Sequence, residues 1–127
     1  MNPVIVKGGD KKGLLKVSIG DFQLSIDRSG GNGPSSMELM LVGLGACTYE
    51  TVLYYMSRKE LPVASFSVEL RADPSDKGKF YDRIYVGLHV DDGISDKEKK
   101  IILNAAKTCR IHNTIENKPD IVLEVFS

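Results

Sequence analysis

The chain has 127 residues, enough for one domain with a real hydrophobic core. Lysine plus arginine and aspartate plus glutamate number 17 each, so the net charge is zero. That balance excludes the basic surface that nucleic acid or an anionic membrane demands of a partner.

Two cysteines are too few for the disulfide framework of a small secreted fold. Residues 1–10 lack the long apolar region and cleavage site of a signal peptide. Glu38 and Glu50 bound the longest apolar run short of the roughly 18 residues of a membrane span. A soluble, cytoplasmic protein with free thiols is expected.

Residues 14–19 and 22–27 alternate apolar and polar around Gly20-Asp21, which predicts a hairpin with Phe22, Leu24 and Ile26 on its apolar side. The glycines and proline of 29–34 then impose a loop. Ser35-Ser36-Met37-Glu38 fits a capping box, with the Ser35 hydroxyl at the N-cap and the Glu38 carboxylate reaching back.

From there a helix of about 23 residues, roughly 35 Å long, is predicted to run to Arg58-Lys59. Its first half is apolar almost all round, the mark of burial on more than one side. Gly43 and Gly45 each cost about 1 kcal/mol against alanine inside a helix. A close neighbour is therefore expected at the turn before Cys47, either a second helix or the same helix of another copy. Leu61-Pro62 ends the helix.

Residues 65–72 and 81–90 read as an antiparallel pair around the polar turn 73–79, with Phe66, Val68 and Leu70 on one face. Ser95-Asp96-Lys97-Glu98 is a second capping box, opening a helix whose positions 101, 102, 105, 106 and 109 share one face. Cys109 is expected to point inward with that face. A short helical turn through Ile115, a breaker at 117–120 and a final strand at 121–126 complete the order ββ-α-ββ-α-β. Hairpins in place of crossovers predict an α+β fold with antiparallel sheet.

Cys47 and Cys109 carry the potential chemistry. Two thiols on buried helices can serve as one cysteine to be oxidised and one to resolve it. Free cysteine is also among the most buried residue types, and plain packing explains both positions equally. Cys47 lies in mid-helix, beyond the reach of its own helix dipole, so its thiolate is expected to need a cation from elsewhere. Glu50, at i+3 from Cys47, shares its helix face and is expected in a structural ion pair with a basic residue such as Arg28 or Arg110. Cys109 and His112 have a Cys-x-x-His spacing, but Cys47 and His89 offer no second paired-ligand spacing, so no metal site is expected. No dinucleotide fingerprint or phosphate loop is present, and no organic cofactor is expected.

Gly33-Pro34-Ser35-Ser36-Met37-Glu38-Leu39-Met40-Leu41, followed by Gly43-Leu44-Gly45-Ala46-Cys47-Thr48, resembles the cysteine helix of the OsmC/Ohr family of osmotically inducible and organic-hydroperoxide-resistance proteins. Cys109-Arg110-Ile111-His112 is similar to the family's second cysteine, at the start of a short helix. The resemblance covers nearly the whole chain and implies a single OsmC-like domain over 1–127 and an intertwined homodimer with two long helices back to back. It also implies a thiol-dependent peroxidase. Cys47 would reduce an organic hydroperoxide and become a sulfenic acid, Cys109 would close a disulfide with it, and an external dithiol would reset both. Arg28, in the loop before the helix, corresponds by position to the family's peroxide-binding arginine.

In the peroxidase branches a glutamate falls ten residues before the cysteine, whereas Glu38 falls nine before Cys47, which resembles a less characterised branch. Nine residues span about 13.5 Å and half a turn, so Glu38 cannot touch the thiol of its own helix. Any part it takes must be across the dimer, on the other subunit's Cys47; otherwise it is simply the cap. The alternative to an enzyme is a member of the same fold that binds a small apolar ligand at the dimer interface.

Overall fold

The structure, a computed structural model, describes residues 1–60 and 66–127. Its elements are β1 (Val4–Gly8), β2 (Leu14–Ile19), β3 (Phe22–Asp27), α1 (Ser36–Arg58), β4 (Ser67–Pro74), β5 (Tyr81–His89), α2 (Asp96–Ala106) and α3 (Arg110–Glu116). This is the expected α+β fold with antiparallel sheets and one long helix. The chain divides into two compact units, Met1–Val42 and Gly43–Ser127.

In the first unit β1, β2 and β3 form an antiparallel sheet in that order. The β2–β3 register pairs Ile19 with Phe22, which leaves Gly20 and Asp21 as the two-residue turn. Gly20 has φ +59°, the left-handed value that a hairpin turn needs at its first central residue. Strand β1 is an addition to the reading above: its short apolar run, Val4-Ile5-Val6, pairs with Val17 and its neighbours in β2. On the hairpin's apolar side, Ile26 is buried but Phe22 is 77% exposed.

The loop after β3 is organised by Asp27, a buried carboxylate. It accepts hydrogen bonds from the Ser29 hydroxyl (2.6 Å) and N–H (2.9 Å) and from the Asn32 side-chain amide and N–H (both 3.0 Å). These donors, the Ser29 side chain foremost, lower its pKa from 3.8 to about 2. Because the folded value lies below the ordinary one, this stabilisation is complete above pH 3.8 and is lost as pH falls toward about 2. In Asp27→Asn the acid-side decline of stability over that interval, followed by urea denaturation, is expected to be shallower than in wild type.

Both capping boxes form. Glu38 N–H donates to the Ser35 hydroxyl (3.2 Å) and Ser35 N–H donates to Glu38 Oε1 (2.8 Å); Ser95 and Glu98 repeat the pattern at α2. The expected helix end at Leu61-Pro62, and the start of the next strand at Ser65, lie outside the described residues.

The core of the second unit is Val52 and Met56 of α1, Phe66, Ile94, and Ile102 and Ala106 of α2. Each large side chain of this kind contributes roughly 1.5–3 kcal/mol by leaving water. Val68 and Leu88, cross-strand partners in the β4–β5 pair, pack against it. Two expectations are corrected here. Helix α2 stops at Ala106, so Cys109 is the N-cap of α3 and not the end of α2, although its side chain is fully buried as anticipated. Residues 121–126 form no strand: Ile121, Val122, Leu123, Val125 and Phe126 are 78–98% exposed. A strand exists only where a neighbour takes up its backbone hydrogen bonds, and among the described residues this segment has none.

Candidate functional site

Cys47 comes from the middle of α1 and Cys109 from the junction of α2 and α3, and both are free thiols. The fold places the two thiols beside each other, so that each acts on the other's acidity. Cys109 is fully buried and Cys47 half-buried.

Of the two glycines before Cys47, Gly45 is the tight one and Gly43 has room for a Cβ. A Cβ on Gly45 would lie 2.5 Å from Leu70 Cδ1 of β4, and one on Gly43 would lie 3.8 Å from Ile111 Cδ1 of α3. The close neighbour at Gly45 is thus a side chain of strand β4, while Gly43 faces the expected second helix, here α3. A glycine pair reports that room is needed, but not what fills it.

The electrostatics differ between the two thiols. Burial pushes Cys47 up, but hydrogen bonds from the Cys109 thiol, the N–H groups of Ile111 and Arg110, and Thr51 outweigh it and lower its pKa below the ordinary thiol range. Burial also pushes Cys109 up, and the bond to Cys47 adds to that push. The N–H groups of His112 and Ile111 and the Thr48 side chain oppose it without reversing it.

The donors come from the start of α3. The first N–H groups of a helix have no carbonyl four residues back to bond. Cys109, as N-cap, supplies no side-chain cap. The open amides of Arg110, Ile111 and His112 turn to the two sulfurs instead. Among the described residues, no cation is among the groups that lower the Cys47 pKa.

The remaining residues are distributed as follows. Arg28 lies just after β3 in the first unit, exposed; its N–H donates to the Gly13 carbonyl (3.1 Å), and among the described residues its guanidinium has no carboxylate partner. Glu38, in the same unit, is exposed and engaged in its capping box. Glu50 is exposed and, against expectation, makes no ion pair among the described residues. His112 Nε2 is bonded to Glu116 Oε1 of its own helix at 2.8 Å.

Sequence reasoning missed Thr48 and Thr51. Their positions beside Cys47 were in plain view, but a threonine in a helix carries no signal until its neighbours across the fold are known. An apolar cavity of about 180 Å³ is lined by Leu44, Ile84, Val86, His112 and Ile115. A larger cleft of about 510 Å³ lies along β5 and α2, and neither cysteine lines either space.

An α+β chain whose long helix and short third helix bring two free thiols into contact defines a dithiol protein. Residues 29–124 match the model of the OsmC-like protein family, and the chain belongs to that family. Solved structures with the same fold include an OsmC-like protein from Mycoplasma pneumoniae, 19% identical, with a TM-score of 0.76 over 93% of this chain and 89% of that one. A putative osmotic stress induced and detoxification response protein from Psychrobacter arcticus is 16% identical, with a TM-score of 0.75 over 90% and 88%. The organic hydroperoxide resistance protein OhrB of Bacillus subtilis is 14% identical, with a TM-score of 0.68 over 93% and 92%. No curated protein sequence matches the chain.

Proposed function

We propose that the protein is a thiol-dependent peroxidase that reduces organic hydroperoxides. The observation that carries this reading is a pair of neighbouring free thiols of unlike character, Cys47 half-buried with its pKa lowered and Cys109 fully buried with its pKa raised. A nucleophile must ionise, whereas a resolving thiol must wait for its partner to be oxidised.

Cys47 thiolate attacks the terminal oxygen of the hydroperoxide. The O–O bond breaks, the alcohol leaves after taking a proton, and Cys47 becomes a sulfenic acid. Cys109 then attacks that sulfur, forming the disulfide and releasing water. An external dithiol restores both thiols by exchange and is itself oxidised to a disulfide. Arg28 is proposed to bind the peroxide. Glu38, whose Oε2 is free of the cap, is proposed to orient an arginine across a homodimer. Family membership and the cytoplasmic character expected from the sequence support a reducing partner of this kind.

One equivalent of organic hydroperoxide added to the reduced protein is expected to remove both free thiols and yield the corresponding alcohol. Retention of both thiols would overturn the reading. The second reading, a binder of a small apolar ligand, rests on the cavity beside His112. At about 180 Å³ it falls below the roughly 300 Å³ at which pockets for drug-sized ligands begin.

A further inference from the structure

Resting on the reading of Arg28 as the peroxide-binding residue, we infer that Asp27 is its positioning residue. The Asp27 carboxylate holds the chain around Arg28 in place and, being fully engaged there, leaves the guanidinium free for the peroxide.

Asp27 is the last residue of β3 and Arg28 follows it directly. Successive side chains of an extended chain point to opposite sides. Asp27 accordingly is 3% exposed, whereas Arg28 is exposed. Each oxygen of the carboxylate has two donors: Oδ1 accepts from the Ser29 N–H and hydroxyl, Oδ2 from the Asn32 N–H and side-chain amide. These donors fill the roughly four acceptor sites that a carboxylate has. The acid next to Arg28 in the chain therefore has no lone pair left for it. Among the described residues no other carboxylate pairs with the guanidinium either.

The main chain of Arg28 is pinned from three directions. Its own N–H donates to the Gly13 carbonyl at 3.1 Å. Before it, the Asp27 N–H donates to the Pro34 carbonyl and the Asp27 carbonyl accepts from the Gly30 N–H, both at 3.0 Å. After it, Ser29 is held on Asp27 Oδ1 at 2.6 and 2.9 Å. Gly33 packs so close to the Ser25 carbonyl that a Cβ there would force a shift. Residues 27–34 thus form a closed loop around the carboxylate, with Arg28 on its exposed side. A buried carboxylate is costly unless it is fully bonded, so a loop needing only to connect β3 to α1 has no use for one. What this one secures is a fixed starting point for a long side chain whose charge no neighbouring acid neutralises.

The test is a double-mutant cycle on the oxidation of Cys47. Reduced protein is mixed rapidly with cumene hydroperoxide, and the second-order rate constant is measured for wild type, Asp27→Asn, Arg28→Ala and the double variant. In Asp27→Asn an NH2 group replaces one oxygen and faces donors with a donor. The rate constant is expected to fall about tenfold beside Arg28, with disulfide closure at the wild-type rate. In the Arg28→Ala background the same substitution should cost nothing further, because no guanidinium remains to be positioned. Equal losses in both backgrounds, or no loss beside Arg28, would overturn the inference. Asn32→Ala removes one donor and keeps the carboxylate; it gives the same cycle with a loss of about threefold even where Asp27→Asn protein does not fold.

A second measurement needs no peroxide. Nuclear magnetic relaxation should show the order parameter of the Arg28 main-chain N–H falling from about 0.85 to below about 0.6 in Asp27→Asn, while β2 stays rigid. Unchanged order at Arg28 overturns the inference. If wild type fails to consume hydroperoxide while the order at Arg28 falls, the peroxidase reading falls and the hold of Asp27 on Arg28 stands.

Discussion

Cys47→Ser protein is expected to consume no organic hydroperoxide above the uncatalysed rate. A serine hydroxyl in that environment stays protonated at neutral pH, and the amides of Arg110 and Ile111 that favour a thiolate have no comparable anion to hold. Cys109→Ser protein should behave differently: it reacts once, releases one equivalent of alcohol and stops. The sulfenic acid then persists or is driven to sulfinic acid by excess peroxide. A steady-state assay with a dithiol reductant distinguishes the two variants from wild type, and mass measurement after one equivalent of peroxide distinguishes them from each other. Equal activity in both variants and in wild type would remove the peroxidase assignment.

The second large expectation is that the protein is a homodimer in solution, with a scattering mass twice the 14.0 kDa of the chain. Contrary to the expectation that Glu38 and Glu50 keep its apolar run too short, helix α1, with 23 residues, is long and apolar enough by length and composition to span a membrane; only 28% of its most apolar window is buried by its own chain. Met40, Val42 and Tyr54 on it are 45–59% exposed. Soluble monomers rarely leave contiguous apolar patches larger than a few hundred Å² uncovered, and a second copy covers the same face twice with one interface. A folded protein at micromolar concentration with the mass of a single chain would contradict this.

How much was legible depended on how local each cause was. Both capping boxes, the Gly20-Asp21 hairpin and the β4–β5 pair could be read because residues a few positions apart specify them. Strand β1 could not, since Val4-Ile5-Val6 is too short to show alternation and becomes a strand through its pairing with β2. At 121–126 the side chains favour a strand, but the partner that would make it one is not among the described residues of its own chain. The two cysteines could be singled out by residue type. The asymmetry between them could not, because it follows from burial and from the opposite effect each thiol has on the other, while main-chain amides of α3 act on both.

That origin has a consequence for variation. A charge that tunes a thiol from a side chain is deleted by one substitution, whereas amides at positions 110 and 111 belong to the backbone and survive nearly every exchange of side chain. Arg110 and Ile111 are therefore free to drift without disturbing the acidity of Cys47, with one exception. Proline at 110 would suit the first position of a helix, yet it lacks the N–H that Arg110 directs at the sulfur. With proline there, Ile111 would be the one main-chain donor left among the two that act on the Cys47 sulfur.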